Sequence, residues 1–307
     1  MLSSVAERLY WMSRYLERSE NVARLIQSYN HLIFDIPLGA EPDWFILIEV
    51  LDGDDEFDHH FNQRNESNVH RFLISRSTVS NSITYSVNNA RENARTTRDV
   101  LPEDVWEQAN QLHIYSNENG SKSIGRRSRL VFLEEVIKRL QSINGLIESS
   151  LLRDEAYRFI SIGRKIERAD MTARILKVAG GDIISREGQF IDLQPFLWGA
   201  LLDALYAKSA FRRIKGPVIS KEQTFDFVLN CTSFPRSIAY CVDDIDREVT
   251  NLPENSELKK ILRKLKRLVN KHNVENTDYG QIEKFNKEFQ DMLVAINKTL
   301  YKNWFDR

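Results

Sequence analysis

The 307 residues carry 43 basic against 44 acidic side chains, a formal net charge of −1, so no whole-molecule field gathers nucleic acid or anionic membrane. A hydrophobic content of 42% is enough for a substantial core, while two cysteines support neither a disulfide framework nor paired zinc ligands. Charge enters at Glu7 and Arg8 before any apolar stretch of signal-peptide length, and no later run reaches the length of a membrane span, so the chain reads as cytoplasmic.

Only 12 Gly and 7 Pro punctuate the sequence, and apolar residues recur at three- and four-residue spacing rather than alternating, which predicts an all-α fold. The first helix is expected to start at a capping box, Ser4 with Glu7 three residues on, and to carry the stripe Leu9, Met12, Leu16, Ser19, Ala23 and Ile26. Helices over 41–52, 67–100, 102–115 and 126–150 follow. Asp154 then caps a second long helix with the stripe Phe159, Ile162, Ile166, Ala169, Ala173 and Leu176, which is expected to end at Gly180-Gly181-Asp182. Further helices are expected over 192–212, 221–251, 255–273 and 278–304, with polar connectors at 52–56 and 117–121.

The chain also repeats itself. Arg14, Glu17, Arg18, Ala23 and Arg24 fall on Arg164, Glu167, Arg168, Ala173 and Arg174 at an offset of 150. Trp44, Leu47, Leu51 and Phe57 fall on Trp198, Leu201, Leu205 and Phe211 at 154, and Phe72, Ser82, Ile83 and Val87 fall on Phe227, Ser237, Ile238 and Val242 at 155. Three segments in one order with so little drift predict a tandem internal duplication, approximately 1–150 and 151–307. No Pro- or Ser-rich linker separates the halves, so a single interlocked helical bundle over 1–307 with pseudo-two-fold symmetry is expected. Small residues at Ser19, Ala23, Ala169 and Ala173 would let the two repeat helices pack closely at its centre.

With about 100 degrees per residue, Glu17, Arg18, Asn21 and Leu25 lie within about 60 degrees of Arg14, in a band that Tyr10 and Trp11 share. The candidate polar site is therefore Arg14, Glu17, Arg18 and Arg24 with Arg164, Glu167, Arg168 and Arg174. In one reading the band is a structural network, Glu17 pairing with Arg168 or Arg164 and Glu167 with Arg18 or Arg14. In another its arginines line a pocket that takes a carboxylate or phosphate, an acidic peptide for example. In a third, Glu17 or Glu167 is a general base.

Other motifs carry less. Arg91, Arg95 and Arg98 form a basic ridge on one helix face, and Arg91 falls on Asp246 in the second half, so a pairing between halves is expected, with a phosphate or acidic-peptide contact as the alternative. Lys259 to Leu268 is basic, but Leu258, Ile261, Leu262, Leu265, Leu268 and Val269 make an apolar face that leaves the charges on a solvated one. Glu56-Phe57-Asp58-His59 is a single Glu-x-x-His, half of what a helical di-iron site requires, so neither metal nor cofactor is expected. Gly120 to Ser128 has glycines at P-loop distance, yet Arg126 stands where lysine is needed and no strand precedes it. Cys231 and Cys241 read as small buried residues of the helices flanking Phe234-Pro235.

The N-terminal Met-Leu-Ser-x-Val-Ala-Glu-Arg-Leu-Tyr-Trp-Met run, the Arg-Tyr-Leu-Glu-Arg-Ser-Glu-Asn at 14–21, Ala90 to Arg95, Trp106-Glu107, Arg158-Phe159 and Ile166 to Asp170 closely resemble the bacterial alpha-E family, over essentially the whole chain. The resemblance implies an all-helical domain named for a Glu-Arg motif. It further implies companions, a circularly permuted ATP-grasp ligase and a transglutaminase-like protein, in a system that makes or modifies peptides. It carries over no catalytic residue. The expected function is thus an accessory, partner-binding helical protein; the alternative is an enzyme acting on an amide or peptide at the duplicated Glu-Arg motif. RNA binding through the basic ridges is disfavoured by the neutral overall charge.

Overall fold

The computed structural model describes residues 1–36, 43–185, 194–271 and 278–306. Among them the chain is all-α, with no strand. The long helix α1 (Ser3–Asp35) is followed by α2 (Ile46–Val50), α3 (Asp54–His60), α4 (Glu66–His70), α5 (Ile83–Arg95), α6 (Glu103–Asn119) and α7 (Arg126–Ser150). A second long helix, α8 (Glu155–Ser185), is followed by α9 (Gln194–Ala204), α10 (Lys208–Lys215), α11 (Lys221–Asn230), α12 (Ile238–Thr250), α13 (Ser256–Lys271) and α14 (Tyr279–Leu300). No helix among the described residues is long and apolar enough to cross a membrane.

The two long helices form the axis. All twelve stripe residues, from Leu9 to Ile26 on α1 and from Phe159 to Leu176 on α8, are buried. Around α1 pack α8, α5, α9 and α7; around α8 pack α12, α14 and α2 as well. Sheathed on nearly every side, α1 and α8 have little solvent-facing surface, which is why their charged residues must find partners inside the protein. The helices meet at Gly163, where an added Cβ would lie 2.5 Å from the Tyr10 carbonyl oxygen and also strike Ser13 Oγ. Only hydrogen fits between the backbones there.

Local chemistry breaks several helices that periodicity predicts as continuous. The 67–100 stretch divides because a π-helical turn at Arg71–Ser75 ends α4, and the Ile74 carbonyl then accepts from Thr84 Oγ1 at 2.7 Å and Ser82 Oγ at 3.3 Å. Ser82 caps α5 by accepting from the Tyr85 N–H at 3.5 Å. The 221–251 stretch divides likewise, Ser237 capping α12 through the Tyr240 N–H at 3.2 Å just after Pro235, which has no N–H to continue a helix. The 192–212 stretch breaks into α9 and α10 at Tyr206, φ 54°, its first two residues lying outside the described ones.

The 41–52 expectation keeps only α2, with 41–42 outside the described residues, and the acidic connector that follows starts α3 instead. Asp54, Asp55 and Glu56 occupy the first turn of that helix, where negative charge meets the unpaired backbone N–H groups. The capping box at Ser4 does not form: Leu2 stands at the cap without a side-chain bond. Asp154 does accept from the Ala156 N–H at 2.9 Å. The α8 helix also runs through Gly180-Gly181 to Ser185, and Gly180 serves close packing there rather than termination, since the Phe225 Cζ would lie 3.3 Å from an added Cβ. Residues 272–273, the end of another expected helix, lie outside the described residues.

The close approach makes a paired prediction. Gly163→Ala forces α1 and α8 apart and should lower unfolding free energy by about 1–3 kcal/mol. Gly145→Ala on α7, where nothing lies within 4 Å of the added Cβ, should raise it by about 0.5–1 kcal/mol. Urea unfolding of both variants measures the contrast.

Candidate functional site

The polar band of α1 and that of α8 face each other across the crossing. Glu17 accepts from Arg168 in a two-pronged contact, Nε to Oε1 at 2.8 Å and Nη2 to Oε2 at 2.7 Å. Reciprocally, Glu167 accepts from Arg18 Nε at 2.5 Å and Nη2 at 3.2 Å. Each helix therefore offers a Glu-Arg dipeptide and receives its partner's, since adjacent residues on a helix diverge enough to reach two different points on a crossing one.

Further guanidiniums complete each end. Glu167 also takes Arg14 Nε at 2.7 Å, and the same arginine reaches Tyr10 Oη and Asn297 Oδ1 of α14, both at 3.3 Å, while lying 5.0 Å from the Trp11 ring centre. Glu17 instead takes Arg236 Nη1 at 2.9 Å. That Arg236 also bonds Asn21 Oδ1 at 2.7 Å and Glu20 Oε1 at 2.8 Å, and Glu20 in turn accepts from Arg24 Nε at 2.9 Å. At the other end Asp170 accepts from Arg174 Nε at 2.8 Å and Gln290 Nε2 at 2.5 Å, and Arg174 reaches Asp52.

Of the eight predicted residues, seven belong to this network. Arg164 does not: it turns away to Glu148 of α7. The position matching Tyr10 is Ile160, and the hydroxyl beside Arg164 is that of Tyr157, which donates to the same Glu148 carboxylate at 3.1 Å. The arginines read as open to an acidic ligand are each met by a carboxylate. Sequence reasoning missed Arg236, which arrives from the turn before α12, and Glu148, Asn297 and Gln290, which arrive from other helices; none leaves a spacing signal on α1 or α8. Glu20 and Asp170 were detectable, because they match at the offset of 150 and precede Arg24 and Arg174 by four residues.

The electrostatics follow from burial against pairing. Burial alone would raise both carboxyls, but Arg168 and Arg236 hold Glu17 well below the usual carboxylate range, and Arg18 and Arg14 hold Glu167 down at about 2. Among the nearby groups, burial pushes the Cys241 thiol up to about 11, so it is a protonated core residue on α12, while Cys231 is half-buried at the end of α11.

The secondary ridge resolves differently from expectation. Arg91 and Arg98 flank the Trp106 ring at 5.1 and 5.0 Å, Arg91 donates to Asn110 at 3.1 Å, and Arg95 pairs with Glu92 at 2.6 Å. Asp246 pairs with Lys266 at 2.7 Å. The expected Arg91–Asp246 contact is absent because α5 packs on α6 and α12 on α13, so each residue finds its partner on its own neighbouring helix. On α13, Leu258, Leu262, Leu265 and Val269 are buried beneath the basic face.

Removing one member of the buried network leaves its partners uncompensated. Glu17→Gln should cost about 3–5 kcal/mol at neutral pH by urea unfolding, whereas Arg95→Ala, at an exposed pair, should leave the melting temperature unchanged. Because both motif carboxyls are depressed in the fold, their stabilisation is complete above their unfolded pKa of about 4.3 and is lost as pH falls through the folded values. Wild-type stability should therefore decline from about pH 4.5 toward about pH 2, and the Glu17→Gln variant should decline less steeply.

The Alpha-E family model, a predicted alpha-helical domain with a conserved ER motif, matches residues 1–305. No curated protein and no solved structure matches the chain. An ER motif is a Glu-Arg dipeptide, and the dipeptides at 17–18 and 167–168 are the ones that interlock at the centre of this fold. The chain belongs to the Alpha-E family.

Proposed function

We propose that the chain is a non-catalytic accessory protein of a bacterial peptide-making or peptide-modifying system, a cytoplasmic helical partner of a circularly permuted ATP-grasp ligase and a transglutaminase-like protein. The observation that carries this reading is the saturation of the Glu-Arg network. A general base needs a pKa near its working pH and access to a substrate proton. Glu17, with a side chain 0% exposed and three N–H donors from the two guanidiniums of Arg168 and Arg236, has neither. Two-fold use of the motif also suits a framework better than a reaction, which needs one site. Membership in the Alpha-E family supports the partnership through the companions that the resemblance implies.

The same reading takes residues 1–307 as one domain that arose by tandem duplication, approximately 1–150 and 151–307. Supporting it, among the described residues a long helix followed by six shorter α-helices occurs twice in the element order, and α1 packs on α5, α7 and α9 as α8 packs on α12, α14 and α2. The predicted outcome is a stable complex when the tagged chain is co-expressed with a ligase of this class and resolved by size exclusion, with no ATP or peptide turnover by the chain alone. Turnover by the isolated chain, lost in Glu17→Gln or Glu167→Gln variants that remain folded, would contradict the accessory role.

A further inference from the structure

The solvent face of α13 carries one sign of charge. From Leu258 to Lys271 six residues are exposed, and five of them, Lys260, Arg263, Lys264, Arg267 and Lys271, are cations, Asn270 being the sixth. At about 100 degrees per residue the five fall within a sector of about 100 degrees, and from Lys260 to Lys271 they run for about 17 Å along the helix. Other surface helices mix their charges. The exposed side of α14 carries Glu283, Glu288 and Asp291 beside Lys284 and Lys287, and on α7 Glu135 pairs with Arg139 at 2.8 Å.

Nothing inside the fold answers these cations. Among the described residues none of the five has a carboxylate within ion-pair distance: Glu257, the one acid of α13, faces Lys302 at 3.7 Å, and Asp243 and Asp246 of α12 are taken by Lys266 at 2.9 and 2.7 Å. Like charges four residues apart, at 260 and 264, 263 and 267, and 267 and 271, repel and weaken the helix. The buried Leu258, Leu262, Leu265 and Val269 hold α13 in place against that repulsion, so folding does not depend on the cations.

We infer that this face is a docking surface for a short acidic segment of a partner polypeptide, one that presents carboxylates along one side. The same helix shows such a contact at its edge, where Lys266 sits between Asp243 and Asp246, carboxylates three residues apart on a neighbouring helix. The charge distribution selects a short partner. Seven cations against Glu257 give α13 a charge of +6, which leaves −7 on the rest of the chain. A nucleic acid or an anionic bilayer reaches beyond the ridge to that negative remainder, whereas a segment no longer than the ridge meets only cations. The exposed face also has no aromatic ring on which the bases of a single strand could stack and no apolar side chain to enter a bilayer. The surface stands on α13 alone and is independent of any association with a ligase.

Fluorescence anisotropy of the full chain with a labelled peptide of two Glu-Ala-Ala-Glu-Ala-Ala-Ala heptads, at about 0.15 M salt, tests the surface. The Glu peptide should bind, its Gln counterpart should bind at least about tenfold more weakly, and the difference should close as salt at about 0.5 M screens the charges. Lys264→Glu combined with Arg267→Glu should weaken binding of the Glu peptide at least about tenfold, yet melt at or above the wild-type temperature because it relieves the repulsion. Lys138→Glu, at a side chain 80% exposed on α7, should bind as the wild type does. Equal affinity for the Glu and Gln peptides, no binding of the Glu peptide at millimolar concentration, undiminished binding in the double variant, or tighter binding of a single-stranded RNA of about sixteen nucleotides or of phosphatidylserine vesicles than of the Glu peptide would overturn the inference. The comparison of the two peptides on the wild-type chain decides it whatever the variants do to folding.

Discussion

A helix surrounded by other helices on every side has nowhere to put a charge except against an opposite charge. That constraint governs α1 and α8, in which Arg14, Glu17, Glu20, Arg24, Arg164 and Glu167 are all buried. Taking carboxylates and guanidiniums out of water costs several kcal/mol for each ion, and only close, multiply hydrogen-bonded pairing offsets it. Here the offset comes from across the helix crossing, with Glu17 receiving Arg168 and Glu167 receiving Arg18. Sliding one helix along the other would strand both carboxylates at once, so we read the role of the reciprocal pairs as fixing register, together with the close contact at Gly163.

The choice of arginine over lysine fits that role. A planar fork bridges two carboxylate oxygens, as Arg168 does on Glu17, or links separate residues, as Arg236 does among Glu17, Glu20 and Asn21. The cations are also braced by aromatic faces: Arg14 on Trp11, Arg18 on Tyr15 and Arg24 on Tyr206. Gly163 complements these devices, because direct backbone contact brings the two charged bands within side-chain reach of each other.

Much of this was legible in the sequence, for identifiable reasons. The two stripes, the long helices and α7 follow from period and length, and the Glu-Arg dipeptides stand out because they recur at one offset. What stayed hidden was set by contacts distant in sequence or by short-range capping. Ser82 and Ser237 divide apolar runs that periodicity joins, because their hydroxyls accept backbone N–H groups more favourably placed than a further helical turn. Arg236 carries no helical spacing signal, and its role depends on a fold that brings the start of α12 against α1. Arg91 and Asp246 were matched by offset, yet matched positions in two halves need not touch.

The reciprocal Glu-Arg pairs hold α1 against α8. A double-mutant cycle on Arg18→Ala and Glu167→Gln, followed by urea unfolding at neutral pH, measures it most directly. Direct pairing of Arg18 with Glu167 requires a coupling energy of at least about 0.5 kcal/mol between the two positions; strictly additive losses would show that the pair does not hold the helices together.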